Sequence, residues 1–221
     1  MIKNDKYTVL IDGNFFLHKV YHIAKKIGKG KFNFIDTPKD DRNLLLWKLA
    51  MDLSSEVKRF DSVIENIVYC IDGSSWRKYY FPDEEIEGGT QIKYKANRTK
   101  SDEINWTEIY DCHTEFANAL EAMGCTVLRM DGCEADDLIF SWSATLNTKG
   151  KNTLIISGDN DLMQLVNHDK QNGTNTIYYQ KFLKTLYAQE GFKVWLDNTT
   201  ETKIDIFDMP MDVNDASKDG I

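Results

Sequence analysis

Apolar residues fall along this chain in two distinct periods. The first is a set of short unbroken runs: YTVLID at 7–12, NIVYCID at 66–72, CTVLRM at 125–130 and NTLIIS at 152–157. Each is rich in β-branched and aromatic residues and is bounded by turn formers. That pattern predicts strands covered on both faces, as in a parallel sheet. The second period is helical. It runs over 14–26 with Phe15, Phe16, Val20 and Ile23, and over 41–60, where Leu45, Leu49, Leu53 and Val57 recur every fourth residue. Asp40 or Asp41 suits the start of this second helix, where the helix dipole favours negative charge. A third helix is predicted over 103–123, with Trp106, Ile109, Tyr110, Phe116, Leu120 and Met123, and Gly124 stops it. A fourth covers 134–147, a short one starts near Asp161, and TIYYQK at 176–181 suits a further strand. Strands alternating with helices predict an α/β fold with a central, mostly parallel sheet flanked by helices.

Residues 73–102 break the pattern. They hold Pro82, the Gly88-Gly89 pair, the acidic cluster Asp83, Glu84, Glu85 and Glu87, and then YKANRTK. A long connection without apolar periodicity is usually functional. Here Arg77, Lys78, Lys93, Lys95, Arg98 and Lys100 interleave with Trp76, Tyr79, Tyr80, Phe81 and Tyr94. Cations for phosphates and rings for unpaired bases are the ingredients of single-strand nucleic-acid binding. The competing reading is a solvated loop with snorkelling side chains.

The chemistry is concentrated in seven carboxylates: Asp12, Asp72, Glu134, Asp136, Asp137, Asp159 and Asp161. Each stands where an apolar run ends or a helix begins. In an open α/β sheet the carboxyl ends of the strands line the binding crevice. Acids gathered there raise one another's pKa unless positive charge neutralises them. Divalent cations with oxygen ligands, Mg²⁺ or Mn²⁺, fit that need. Bland alternatives exist for each piece. Glu134, Asp136 and Asp137 could simply charge the N-terminus of a helix. Three acids in four positions exceed what capping needs, and Glu134 and Asp137 share a helix face. In SGDND, Gly158 is expected to let the chain turn sharply, and Asp159 and Asp161 point the same way; an ordinary Gly-Asp turn with a cap is the alternative. Asp12 and Asp72 each precede glycine, in IDGN and IDGS, where a lone Asp-Gly is commonly a turn.

Net charge at first argues against a nucleic-acid partner, being −8. The excess acid is local, however. It resides in the seven carboxylates and in segment 197–221, where Asp197, Glu201, Asp205, Asp208, Asp212, Asp215 and Asp219 face only Lys203 and Lys218. The remaining body is net basic, so an acidic total is compatible with a phosphate-backbone substrate. The chain is long enough for one compact domain with a short extension. No apolar run is long enough to span a membrane, and the N-terminus has no secretory signal, so a cytoplasmic protein is expected. Cys70, Cys112, Cys125 and Cys133 lack metal-ligand spacing and read as reduced core thiols. His18 and His22, four apart without a carboxylate motif, read as structural or surface residues. Walker A, GxGxxG and GxSxG motifs are absent.

Taken in order, LIDGN, IDGSSWRKYYFP…YKANR, GCEADDLI and SGDNDLMQLV resemble the metal-dependent 5′ nucleases. That superfamily includes flap endonucleases, the 5′→3′ exonuclease domain of bacterial DNA polymerase I and bacteriophage ribonuclease H of the 5′-nuclease type. The WRKYYFP…YKANR stretch is similar to the phage enzymes. The resemblance covers about residues 7–170 and implies a PIN-like fold with a helical arch over about 73–124. It implies two divalent ions, Mg²⁺ or Mn²⁺. Asp12, Asp72, Glu134, Asp136 and Asp159 fall on the first metal cluster, with Asp137 and Asp161 facing the second. Lys95 and Arg98 fall on catalytic residues that contact the scissile phosphate. Arg77, Lys78, Lys93, Tyr94 and Lys100 join them as nucleic-acid contacts. Family members continue into a helix–three-turn–helix module that grips duplex. Asp215 and Asp219 resemble its opening aspartates, so 1–196 is expected as the catalytic domain and 197–221 as the start of that region. Asp215 is then a further candidate for the second metal.

The expected function is a divalent-metal-dependent 5′→3′ exonuclease or flap endonuclease. Its substrates are 5′ ends of DNA, forked DNA and RNA in RNA–DNA hybrids, as in primer removal during replication or repair. A monomer is expected, completed by replication proteins or by a separate chain that supplies the duplex grip. Two other readings compete: a PIN-type single-strand ribonuclease and a non-catalytic forked-DNA binding subunit. A phosphatase is disfavoured because LIDGN lacks the DxDx[TV] nucleophile pattern.

Overall fold

The computed structural model describes residues 6–28, 32–73, 75, 104–169, 171–188 and 203–205. Strand β1 (Tyr7–Asp12) lies inside the sheet, and all six of its residues are buried. Strands β2 (Ile64–Cys70) and β4 (Asn152–Ser157) flank it, both parallel. Strand β3 (Thr126–Leu128) extends the sheet beyond β2, and β6 (Thr174–Gln180) extends it beyond β4, again parallel. The strands alternate in facing. Val9, Ile11, Tyr69, Leu154, Ile156, Ile177 and Tyr179 turn to one core. Leu10, Val68, Cys70, Ile155 and Tyr178 turn to the other. Burial on both faces explains the unbroken apolar runs.

Helices α1 (Gly13–Ile27), α2 (Pro38–Phe60) and α3 (Trp106–Ala122) supply the first core. Helix α4 (Ala135–Thr148) and a 3₁₀ turn (Asn160–Leu165) cover the opposite face. The fold is therefore the mostly parallel, helix-flanked sheet expected. Helix α2 begins three residues before the expected start at 41 because Pro38 sits at its first turn, where a missing N–H costs nothing. The far edge was not anticipated. Strand β7 (Thr185–Ala188) pairs antiparallel with β6, short β5 (Asn167–Asp169) also pairs antiparallel with β6, and β8 (Lys203–Asp205) pairs parallel with β7. Strand β8 thus places part of the expected acidic tail in the sheet. None of the described helices is long and apolar enough to cross a membrane.

Polar ties hold the helices to one another and to the end of β6. Arg42 of α2 donates to Glu108 at 2.7 Å and to Glu115 at 2.9 Å, both on α3. Lys19 of α1 pairs with Asp52 of α2 at 2.7 Å. Glu56, only 1% exposed, is neutralised by Lys181 and Arg59. The four cysteines are free, and burial pushes the Cys112 thiol up to about 12. His18 packs its ring on Trp106 at 5.5 Å and His22 on Tyr21 at 5.5 Å.

His113 of α3 was not singled out by its pattern, yet it is buried. Its Nε2 lies 3.0 Å from the Tyr69 hydroxyl, which reaches the Gly13 carbonyl at 3.3 Å. A neutral ring carrying its proton on Nε2 satisfies both contacts: the ring donates to the hydroxyl and the hydroxyl to the carbonyl. Burial lowers the His113 pKa to about 4, with His18 and Arg129 acting in the same direction. The unfolded chain therefore takes up a proton near pH 6.5 that the folded chain refuses until about pH 4. Stability is fully present above pH 6.5 and is lost as pH falls through that window, by on the order of 3 kcal/mol. Chemical denaturation of wild type and His113→Gln from pH 7 to pH 4 checks this. The variant should lose less stability on acidification; equal losses would remove His113 from the acid response.

Candidate active site

Four chain segments deliver carboxylates to the carboxyl edge of the sheet. Asp12 is the last residue of β1 and caps α1. It is 5% exposed, and its two oxygens accept from the Phe15 N–H at 2.9 Å and the Ser157 hydroxyl at 2.7 Å. Asp72 stands two residues past β2. Its carboxylate accepts the Ala135 N–H at 2.7 Å, so it caps α4 from another strand. The Asp72 N–H in turn donates to the Asn14 side chain at 3.2 Å. Glu134 is the N-cap of α4, with Asp136 and Asp137 in its first turn. Asp159 caps the 3₁₀ turn, accepting the Asp161 N–H at 2.9 Å and donating its own N–H to Ser157 at 3.0 Å.

The glycines serve close packing here rather than unusual dihedrals. Gly13, Gly73 and Gly158 are absent from the positive-φ residues. A Cβ on Gly73 would lie 2.0 Å from the Met130 carbonyl oxygen, and one on Gly158 would lie 2.2 Å from the Phe15 ring. The chain bends at Gly158 as expected, without a positive φ, and glycine is needed there also because Phe15 and Phe182 press on that backbone. The capping alternatives are also occupied. Asp137 accepts the Glu134 N–H at 3.0 Å in a capping box, because the helix start leaves that donor without an intrahelical partner.

Electrostatics tie these loops into one site. Burial, followed by the charges of Asp12, Asp159, Asp72 and Glu134, pushes Asp136 up to about 7. Burial likewise raises Asp12 to about 6, opposed by its two hydrogen bonds and reinforced by Asp72 and Asp159. Asp137 and Asp161 stand across an adjoining cleft of about 390 Å³ that they share with Asp136, Phe140 and Gln164. Donors of this kind, hard oxygens with excess negative charge, suit a divalent cation. Among the described residues, however, no three such side chains converge on a common point as they are placed. The reason is visible in the hydrogen bonds: Asp12, Asp72, Asp137 and Asp159 are each drawn to protein donors. A carboxylate has about four acceptor positions, so one or two such bonds leave capacity for an ion.

Three residues that frame the site carried no sequence signal. Ser157 bridges Asp12 and Asp159. Tyr178 donates its hydroxyl to the Asp159 carbonyl at 2.9 Å, and Gln180 donates to the Gly158 carbonyl at 3.0 Å. Alternation along 176–181 could have aimed Tyr178 and Gln180 at the turn only once β6 was known to neighbour β4. The candidates Arg77, Lys78, Lys93, Tyr94, Lys95, Arg98, Lys100, Asp215 and Asp219 lie outside the described residues.

Raised carboxyl pKa values have a stability consequence. Asp136 holds its proton to about pH 7 when folded but releases it near 3.8 when unfolded. Its contribution is fully favourable below pH 3.8 and is lost as pH rises through about 7. Asp136→Asn should therefore stabilise the cation-free protein at pH 8 by on the order of 1–3 kcal/mol, with little gain at pH 4. Thermal unfolding at both pH values in EDTA checks this; a destabilised variant at pH 8 would contradict the electrostatic account.

Comparison with known proteins adds independent findings. The family model described as 5′-3′ exonuclease, N-terminal resolvase-like domain, matches residues 7–195. The 5′-3′ exonuclease of Mycoplasma genitalium is 31% identical over 85% of this chain and 58% of its own length. That of Buchnera aphidicola is 24% identical over 73% of this chain and 49% of its own. DNA polymerase I of Chloroflexus aurantiacus is 31% identical over 44% of this chain and 10% of its own. The fold is similar to the T5 D15 protein co-crystallised with metal ions, with TM-score 0.52, 14% identity and coverage of 83% of this chain and 58% of that one. A T5 5′-exonuclease with bound zinc aligns with TM-score 0.50, 16% identity and the same coverage. The chain thus spans between a tenth and about three fifths of these relatives.

Proposed function

This chain belongs to the 5′-3′ exonuclease family through its N-terminal resolvase-like domain, and we propose that it hydrolyses phosphodiesters at 5′ ends and flaps of DNA and in the RNA of RNA–DNA hybrids, using two divalent cations. One observation carries the reading: Asp12, Asp72, Glu134, Asp136 and Asp159 come from four segments to one sheet edge and hold Asp136 protonated to about pH 7. Among the described residues, the charges that raise Asp12 and Asp136 are those of other carboxylates, and an anionic substrate alone would add to that repulsion. Mg²⁺ or Mn²⁺ would polarise the phosphate and lower the pKa of water there. The zinc-bound T5 5′-exonuclease supports a divalent ion in this fold.

The chain's own groups then have distinct tasks. Asp12 and Asp136, relieved of repulsion, would serve as ionised oxygen ligands beside Asp72, Glu134 and Asp159. Asp137 and Asp161 would face the second ion across the adjoining cleft, and Asp215 is a further candidate there. Lys95 and Arg98, by their motif, would neutralise charge growing on the phosphate. Arg77, Lys78, Lys93, Tyr94 and Lys100 would track the single strand. Residues 1–196 would form the catalytic unit, and 197–221 would lead toward the duplex-binding region. We further place the chain as a monomer in the cytoplasm, acting in primer removal with replication proteins or a separate duplex-gripping chain.

Cleavage of a 5′-labelled flap and of an RNA–DNA hybrid, in Mg²⁺ and in EDTA, tests this. Wild type should give metal-dependent products, while Asp159→Asn should give none and keep its unfolding midpoint. Binding of forked DNA without cleavage in Mg²⁺ or Mn²⁺ would instead favour a binding subunit. Lys95→Ala should lower kcat by about 10²-fold or more with a smaller change in substrate binding. Single-turnover kinetics separate the two effects, and unchanged turnover would remove Lys95 from the chemistry.

A further inference from the structure

The Ser157 side chain touches two of the acidic loops at once. It is the last residue of β4 and is fully buried. Parallel pairing of Ile11 with Ile156 carries the register one step on, setting Asp12 beside Ser157 on the α4 face of the sheet. The Ser157 hydroxyl donates its single proton to the Asp12 carboxylate at 2.7 Å. The same oxygen accepts the Asp159 N–H at 3.0 Å. Its backbone is fixed as well: the Ser157 carbonyl accepts the Lys181 N–H at 2.8 Å, and Lys181 is anchored to buried Glu56.

We propose that Ser157 is a positioning residue that fixes the Asp12 carboxylate against the backbone of the Asp159 loop and so tunes the cation affinity of the site. The inference rests on the metal-dependent reading given above. An ionised carboxylate can only accept hydrogen bonds and a backbone N–H can only donate one. A hydroxyl is the smallest group that serves both through one atom. Alanine at this position loses both bonds, whereas threonine keeps the oxygen. The loop itself does not depend on the hydroxyl to stay closed. Tyr178 holds the Asp159 carbonyl and Gln180 holds the Gly158 carbonyl from β6. Removing the hydroxyl therefore releases the Asp12 carboxylate from the Asp159 backbone without releasing the turn.

The test is Mn²⁺ binding by calorimetry, without nucleic acid, for wild type, Ser157→Ala and Ser157→Thr. It is joined by amide hydrogen exchange at Asp159. Partners behind metal ligands typically govern affinity about 10–100-fold, so Ser157→Ala should bind Mn²⁺ weaker by roughly that factor. Its Asp159 amide should exchange faster than in wild type. Ser157→Thr should recover both within roughly threefold. Wild-type affinity in Ser157→Ala would overturn this proposal and leave the metal reading standing. So would weakened binding in both variants with Asp159 exchange unchanged. A wild type that binds no Mn²⁺ would overturn the metal reading and this proposal together.

Discussion

Carboxylates packed at one sheet edge repel one another, and much of the local architecture works against that repulsion. Burial alone raises Asp12 and Asp136, and each further acid raises them more. The chain answers with donors that cost it nothing extra. Helix starts leave N–H groups without intrahelical partners. Here Phe15, Ala135 and Asp161 give theirs to Asp12, Asp72 and Asp159. The arrangement restrains the acids without neutralising them. Their remaining charge is what a divalent cation would meet, so the site would be electrostatically costly without cations and favourable when filled.

That tension requires a rigid frame. The parallel register of β2, β1 and β4 fixes where each acidic loop departs. Helix α4 is docked by Asp72 from the end of β2, which joins two of the loops directly. On the opposite face, Tyr69 and His113 bind α3 to the sheet beside Gly13, one residue from Asp12. Arg42 binds α2 to the same helix through Glu108 and Glu115. The helix that receives the chain after residues 76–103 is thus tied to the base of the candidate site. Packing, hydrogen bonding and charge meet within a few residues of the carboxylates.

Most of the sheet was legible in the sequence because burial on both faces leaves unbroken apolar runs. YTVLID and NTLIIS coincide with β1 and β4 residue for residue. The far edge was not legible: β5, β7 and β8 are short, and the pairing of β5 and β7 with β6 and of β8 with β7 is set by tertiary contact, not by pattern. At the site, the acids were visible as types at strand ends, and EADD and SGDND drew notice through their density. Their partners were not. Ser157 reads as one more strand residue, Asn14 as a helix start, and Tyr178 and Gln180 as strand alternation. Only neighbouring strands reveal that these side chains hold the acidic loops. Local pattern showed the bend at Gly158 but not its packing, which comes from the distant Phe182 ring as well as from Phe15.

The central claim is that the carboxylates from these four segments hold divalent cations. Anomalous diffraction from crystals grown with Mn²⁺, recorded at the manganese edge, tests it most directly. The account predicts a peak among Asp12, Asp72, Glu134, Asp136 and Asp159, with a second toward Asp137 and Asp161. A map without manganese at that edge, with the carboxylates still turned to Phe15, Ala135 and Ser157, would contradict it.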